Sequence, residues 1–345
     1  MYEYIGALHI HSVFSDGTGT VEEIINYAKE VGLDYLILTD HNTLKALKEG
    51  YEGWYGNTLF LVGCELNDKE NNNHYLAFGI EDTYSTRISA KEYVKKVKDD
   101  GGIGFLAHPH EKRNHMKEHP PYPWTDWDCK DFNGIEIWNH MSEWMENLTE
   151  GNKYQAFVHP LKSIEAPQNV TLKKWDELNL ERPVVGIGGV DAHAHKHNIL
   201  GFFEVEIFPY KVLFKSIRTH ILLNDELKNK NDFVTSKKLV YESFKNGNCF
   251  VANDYRADSK GFRFYAEIKN KKIMMGETIP FEKGITLKIL LPVKDAEIKL
   301  FCNGKLIEKL QNFELNYFVK SQGVYRVEIY YQGNAWIYSN HIRIL

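Results

Sequence analysis

The residues able to do chemistry in this chain are imidazoles and carboxylates set at the ends of apolar runs. His9-Ile10-His11 closes the run that starts at Tyr4. Side chains on a strand repeat every two residues, so both imidazoles leave one face with Cα atoms about 6 to 7 Å apart, a spacing that lets two nitrogens chelate one metal ion. Asp16 follows in the turn Ser15-Asp16-Gly17, and His41 directly follows Tyr35 to Asp40. Glu65 comes after Val62-Gly63-Cys64, His108 between Phe105-Leu106-Ala107 and Pro109, and His140 after Ile135 to Asn139. Asp191-Ala192-His193 closes the run Val184 to Gly189. Of 15 histidines, only His220 and His341 lie beyond residue 200, so the chemistry is concentrated at the front. Nine nitrogen and oxygen donors without sulfur are too many for one ion and suit two or three divalent ions such as Zn, Mn or Fe, with Mg admissible.

The elements that must position these groups alternate. Tyr4 to His11 reads as a strand, Thr20 with Glu23 as a capping box before the apolar stripe Val21, Ile24, Ile25 and Ala28, and Tyr35 to Leu38 as a buried parallel strand. Ser89 with Glu92 opens a second helix that stops at Gly101 and Gly102. Buried strands are expected at 59–65, 103–107, 134–138 and 184–189, a further strand from His74 to Ile80, and helices near 211–221 and 236–246. This alternation points to an α/β domain approaching a closed barrel, with the donors gathered at the C-terminal ends of the strands. Beyond about residue 258 the pattern becomes strand alternation, with Asn303-Gly304 as a hairpin turn, and predicts a small all-β sandwich. The expected division is 1–257 and 258–345. The stretch 109–131, rich in Pro, His and Trp, reads as a long functional loop.

Leu8-His9-Ile10-His11-Ser12 with Ser15-Asp16-Gly17, the string from Gly32 to Thr43, Glu65, Ala107-His108-Pro109 and Asp191-Ala192-His193 together resemble the polymerase and histidinol phosphatase (PHP) family of metallohydrolases over residues 4 to 255. The resemblance implies a distorted (β/α)7 barrel with a trinuclear centre. In that scheme His9, His11, Glu65 and Asp191 hold one metal, Asp16, His41 and His193 a second, and Glu65, His108 and His140 a third, with Glu65 bridging. One departure is Ala7, where the family often carries Asp. His74 matches a histidine of the phosphoesterase branch. The segment Gly188 to His193 and the C-terminal β domain resemble a carbaryl-hydrolase-like branch of the same family.

Around this core, Asp40 is expected to orient a ligand histidine, and Arg113 to clamp phosphate through its guanidinium. His110, Lys112, His115 and His119 follow the ligand His108, and His195 and His197 reach towards the mouth. His159 and His220 are expected to be structural, while Trp124, Trp127 and Trp138 either wall the cleft or pack. Asp16, Asp191, Arg113 and His74 are the expected catalytic set.

The rest of the composition excludes alternatives. With 345 residues, 43% hydrophobic and 26% charged residues, the chain is long enough for two packed domains and is neither fibrous nor disordered. Four scattered cysteines give no disulfide framework or thiolate zinc site, which fits a reducing, cytoplasmic setting. No apolar run of membrane-spanning length and no leader pattern are expected. Residues 260–345 carry 14 Lys and Arg against 8 Asp and Glu, a net of +6, leaving 28 against 39, or −11, for 1–259. The acidic front argues against a nuclease. Three ions bring +6, and Asp16, Glu65, Asp191 and one metal-bridging hydroxide subtract 4, so a surplus near +2 matches a dianionic phosphate monoester of a small metabolite or nucleotide. Two ions leave about zero, which suits a carbamate, ester or amide. The chain has no GxSxG, no Walker loop and no GxGxxG after a strand. Oligomeric state is not written in these residues.

Overall fold

The computed structural model describes residues 1–113, 120–199, 203–227 and 232–345. His115 and His119 lie outside the described residues. The front runs β1 (Tyr2–Leu8), α1 (Val21–Glu30), β2 (Tyr35–Leu38), α2 (Lys45–Lys48), β3 (Gly53–Tyr55), β4 (Thr58–Leu66), β5 (Tyr75–Phe78), α3 (Ala90–Asp99), β6 (Ile103–Leu106), β7 (Gly134–Asn139) and α4 (His140–Asn147). It continues through α5 (Lys153–Val158), α6 (Asn169–Glu181), β8 (Val185–Gly189), β9 (His195–Ile199), β10 (Phe203–Ile207), α7 (Tyr210–Leu213), β11 (Ile217–Leu223), α8 (Phe233–Asn246) and β12 (Cys249–Asn253).

The capping boxes expected at Thr20/Glu23 and Ser89/Glu92 both form, each satisfying two free N–H groups at the start of α1 and α3. The buried faces of these helices lie on the sheet through Val21, Ile24, Ile25 and Ala28 and through Tyr93, Val94 and Val97. β2 is buried on both faces. Leu36 and Leu38 enter the cluster shared with α1 and α3, whereas Tyr35 and Ile37 join Leu61, Phe78 and Phe105 around Val240 and Phe244 of α8.

The strand order β1-β2-β4-β5-β6-β7-β8 is mixed rather than parallel throughout. β1, β2 and β4 pair parallel, as do β6, β7 and β8, but β5 is antiparallel to both β4 and β6. The cause is the short link 67–74, which can turn a hairpin but cannot make a parallel crossover. β8 returns to β1 only beyond its end, where Val190 N–H donates to Leu8 O (3.0 Å) and His11 N–H to Ala192 O (2.9 Å). Among the described residues no continuous ladder closes the barrel expected from the alternation. The helix expected over 211–221 is confined to α7; Ile217, Thr219 and Ile221 instead enter β11, antiparallel to β1, as β-branched residues at alternate buried positions favour.

The C-terminal strands are β13 (Arg263–Ile268), β14 (Lys271–Met274), β15 (Thr278–Ile279), β16 (Thr286–Leu290), β17 (Ala296–Cys302), β18 (Lys305–Gln311), β19 (Glu314–Phe318), β20 (Gly323–Tyr331), β21 (Asn334–Ser339) and β22 (Ile342–Ile344). Asn303 and Gly304, both at positive φ (51° and 73°), form the β17–β18 turn. β14-β13-β16-β19 form one sheet, while β20, β21 and β22 extend the large sheet through β12. Phe264, Leu287 and Ile289 from the first share a core with Ile298, Val327 and Ile337 from the second, and Leu222, Phe250 and Ala252 belong to the same core.

Candidate metal centre

The C-terminal ends of β1, β2, β4, β6 and β8 converge, and Glu65 stands at their centre. It is 1% exposed and receives five imidazoles. Its Oε2 lies 3.0 Å from His9 Nε2, 3.1 Å from His11 Nε2 and 3.4 Å from His41 Nδ1, and its Oε1 lies 2.7 Å from His74 Nδ1 and 3.3 Å from His108 Nε2. Asp191 Oδ1 faces the same two nitrogens, 3.4 Å from both His9 Nε2 and His11 Nε2, and lies 3.5 Å from His193 Nδ1. Asp16, half-exposed at the rim, reaches His193 Nε2 (3.3 Å), His11 Nδ1 (3.7 Å) and His41 Nε2 (3.7 Å). Four overlapping groups result: His11, Asp16, His41 and His193; His9, Glu65 and His108; His9, His11 and Asp191; and His41, Glu65 and His74.

Eight of the nine expected ligands gather here. His140 joins none of these groups. His140 follows the end of β7 at Asn139 and opens α4; its buried Nδ1 meets Ser216 Oγ at 2.8 Å, its Nε2 is buried without a hydrogen-bond partner, and burial lowers its pKa to about 3. Asn139 takes the inward position, its Nδ2 donating to Glu136 Oε2 (2.9 Å) and lying 3.4 Å from Asp191 Oδ2. Asp40 does not play its expected part. Among the described residues its carboxylate bonds no histidine; it accepts Ser12 N–H, Ser12 Oγ–H and Ser15 Oγ–H, each at 2.7 Å, and so shapes the turn that presents Asp16.

Glu136, which the sequence reading passed over, supplies the missing orientation. Wholly buried in β7, it meets His9 Nδ1 at 2.9 Å through Oε1 and accepts His108 N–H at 2.9 Å through Oε2. A Cβ at Gly189 would stand 2.1 Å from Glu136 Oε1, so glycine there makes room for the pair. The signal was available, because a lone glutamate inside Gly134-Ile135-Glu136-Ile137-Trp138 must find a partner if that strand is buried.

Arg113 reaches the site indirectly. Its Nε and Nη2 both meet Glu111 Oε1 (3.0 and 2.7 Å), its guanidinium lies over Tyr122, and Tyr122 stacks on His74 with centroids 4.9 Å apart. Its fork is therefore engaged by a carboxylate. His74 also places Nε2 3.2 Å from Asn71 O. His110 bonds Thr171 and stacks on Trp127, and Lys112 is exposed. His195 lies edge-on to His193. Trp124 and Trp138 are buried, with indole N–H groups on Asp126 O and Glu143 Oε2, and they pack rather than wall the cleft. His159 caps the C-terminus of α5, and His220 sits between Glu3 and Asp254.

Electrostatics favours cations at this centre. Burial alone would lower the imidazoles, yet the surrounding carboxylates raise His9 well above its usual value, His11 to about 10 and His108 to about 9. His41 is held down to about 3 by burial and remains neutral, the form that ligates. Both nitrogens of His11 and the Nδ1 atoms of His41 and His108 are buried without a hydrogen-bond partner. Clustered imidazoles and carboxylates with orphaned donor atoms fit divalent ions.

Residues 7–105 match the PHP domain. The matched PHP stretch holds His9, His11, Asp16, His41, Glu65 and His74, and the remaining donors lie beyond it. An uncharacterized protein of Methanocaldococcus jannaschii is 28% identical over 117 residues, 30% of this chain and 66% of that protein, so the chain spans just under two thirds of the relative's length. Among solved structures, a two-domain protein of Bacteroides vulgatus containing a predicted PHP-like metal-dependent phosphoesterase is 14% identical, with 99% of this chain and 95% of that one covered at a TM-score of 0.46. An amidohydrolase from Chromobacterium violaceum is 15% identical, with 55% and 87% covered at 0.33. No described helix is long and apolar enough to cross a membrane.

Proposed function

We propose that this chain is a metal-dependent hydrolase whose substrate is a phosphate monoester of a small metabolite or nucleotide. The observation that carries the reading is Glu65, a buried carboxylate shared by five imidazoles and flanked by Asp191 and Asp16, a donor set sized for two or three ions in one cleft. His9, His11, Glu65 and Asp191 would hold one ion, Asp16, His41 and His193 a second, and Glu65 with His108 a third. When bound, such ions polarise a phosphoryl oxygen and lower the pKa of water. Glu136 fixes the tautomer of His9 by accepting Nδ1–H, which leaves Nε2 free to ligate. His74 positions Glu65 from its Oε1 side, and Tyr122 with Arg113 backs His74. Asp16, the exposed member, stands where substrate enters. Arg113 stands beside the site as one half of an ion pair with Glu111.

A carbamate, ester or amide substrate is the second reading and follows if only two ions bind, because the charge surplus then falls to about zero. The test is elemental analysis of purified protein for Mn, Fe, Zn and Mg, with p-nitrophenyl phosphate and p-nitrophenyl acetate assayed on the same sample. Three metals per chain with phosphatase activity are expected; two or fewer with esterase activity alone would favour the second reading. Asp191→Asn should lose metal and at least about a hundredfold in turnover, and undiminished turnover would overturn the metal-centred reading itself.

A further inference from the structure

A cleft of about 760 Å³ lies where β6, β7 and β8 begin, at the opposite ends of the strands that carry His108, Asn139 and Asp191. Its other walls come from the end of α8 and from β22. Arg343 stands in β22 between Ile342 and Ile344. Those two side chains enter the core, so strand alternation turns the arginine to the cleft side. It is 5% exposed, its Nε and Nη1 have no hydrogen-bond partner, and no described carboxylate lies within ion-pair distance. Arg182, across the cleft, has buried Nε and Nη2 atoms equally without partners. Its Nη1 reaches only Pro183 O (3.2 Å), and its plane lies over Phe132.

Arg182 is half-buried, and Arg343 is unlike the other fully buried arginine of the neighbourhood. Arg326 is matched by Asp176 at 2.7 and 2.9 Å and by Glu328 at 2.6 Å. No remaining charged group of the cleft makes a described ion pair with either arginine, although Asp131 lies near enough to Arg182 to act on it. Lys98 is engaged by Asp131, Lys130 by Glu181 at 3.1 Å, and Glu277 Oε1 by Met274 N–H, while Lys245 makes no described ion pair. Burial lowers the pKa of both Arg182 and Arg343; at Arg182 the nearby Asp131 and Glu181 carboxylates oppose it, whereas at Arg343 burial acts alone. Buried charges are ordinarily paired, and unsatisfied guanidinium N–H groups are costly, so a cleft with two such groups calls for an anion.

We propose that this cleft binds a small ligand carrying phosphate groups, gripped by the guanidinium groups of Arg343 and Arg182 with Lys245 at the margin. Guanidinium groups present paired donors that match phosphate oxygens, and the volume suits a metabolite-sized ligand rather than a polymer. The site is separate from the histidine cluster. Its only histidine, His341, is engaged by Asp176 through Nε2.

The test uses the metal-loaded full chain with inorganic pyrophosphate as probe, followed by calorimetric titration and thermal denaturation. Wild type should show a binding event that Arg343→Met and Arg182→Met each weaken at least about tenfold. Turnover of p-nitrophenyl phosphate should stay within about twofold in both variants, since neither residue touches the metal centre. Without pyrophosphate, Arg343→Met should melt at or above the wild-type temperature, because an unpaired buried charge has been removed; should that variant fail to fold, Arg182→Met carries the titration. Pyrophosphate binding that is absent, or equally tight in both variants, would overturn the proposal. So would a short RNA that binds through Arg343 more tightly than pyrophosphate.

Discussion

Three of the proposed ligands have left-handed backbone: His9 (φ 63°), His108 (27°) and Asp191 (54°). Such conformations cost about 1 to 3 kcal/mol each in residues other than glycine and persist only where surrounding bonds over-determine them. Here the bonds are Ala192 N–H to His9 O, His108 N–H to Glu136 Oε2 and Val190 N–H to Leu8 O. Glu136 therefore acts twice, on the His9 ring and on the His108 backbone. Glu136→Gln should retain the fold but weaken metal retention about 10- to 100-fold, measured as metal content after dialysis against graded chelator. Retention equal to wild type would remove Glu136 from the site. At this scale the clustering of donors at strand ends was legible, because residue type and position agreed. Glu136 was not, because a strand interior was read as apolar, and His140 stands apart from the cluster because the residue after a strand can open a helix.

α7 supplies one of the contacts that hold the elements at the site. The Tyr210 hydroxyl accepts Gly19 N–H at 3.1 Å and lies 2.7 Å from His11 O and 3.0 Å from His193 O, so one phenol ties the loops after β1 and β8. Tyr210→Phe keeps the ring and removes these bonds. The expected loss is about 1 kcal/mol in chemical denaturation, with faster chelator-driven metal loss; an unchanged metal off-rate would show that the loops hold themselves. Elements with local signals, such as the capping boxes of α1 and α3 and the Asn303-Gly304 turn, could be read directly. β11 could not, since Lys211 to Ile221 satisfies a helical period locally and only pairing with β1 and β12 selects the strand. The antiparallel β5 was hidden for a similar reason, because strand direction depends on link length and not on the strand's own residues.

Across the whole molecule, the end joining β1 and β11 to the C-terminal strands turns on a buried ionic network. His220 on β11 places Nδ1 2.9 Å from Glu3 Oε1 on β1 and Nε2 3.0 Å from Asp254 Oδ2 just after β12. Arg263 faces Glu3, Arg218 faces Asp254 at 3.3 Å, and Ser259 donates to Asp254 Oδ1. Burial alone would lower the His220 pKa, but Asp254 and Glu3 outweigh it and raise the pKa to about 9. A group raised above its unfolded value, about 6.5, contributes its full stability below that pH and loses it as pH climbs to about 9. The contribution is of the order of 3 kcal/mol, at about 1.4 kcal/mol per pKa unit. His220→Gln should therefore be clearly less stable than wild type at pH 6 and approach it by pH 9.5. Comparing the two proteins by urea denaturation at each pH cancels the titration of the histidine cluster, which both share. A difference that stays constant across this range would mean that His220 is held neutral and that the junction rests on packing around Phe250 instead.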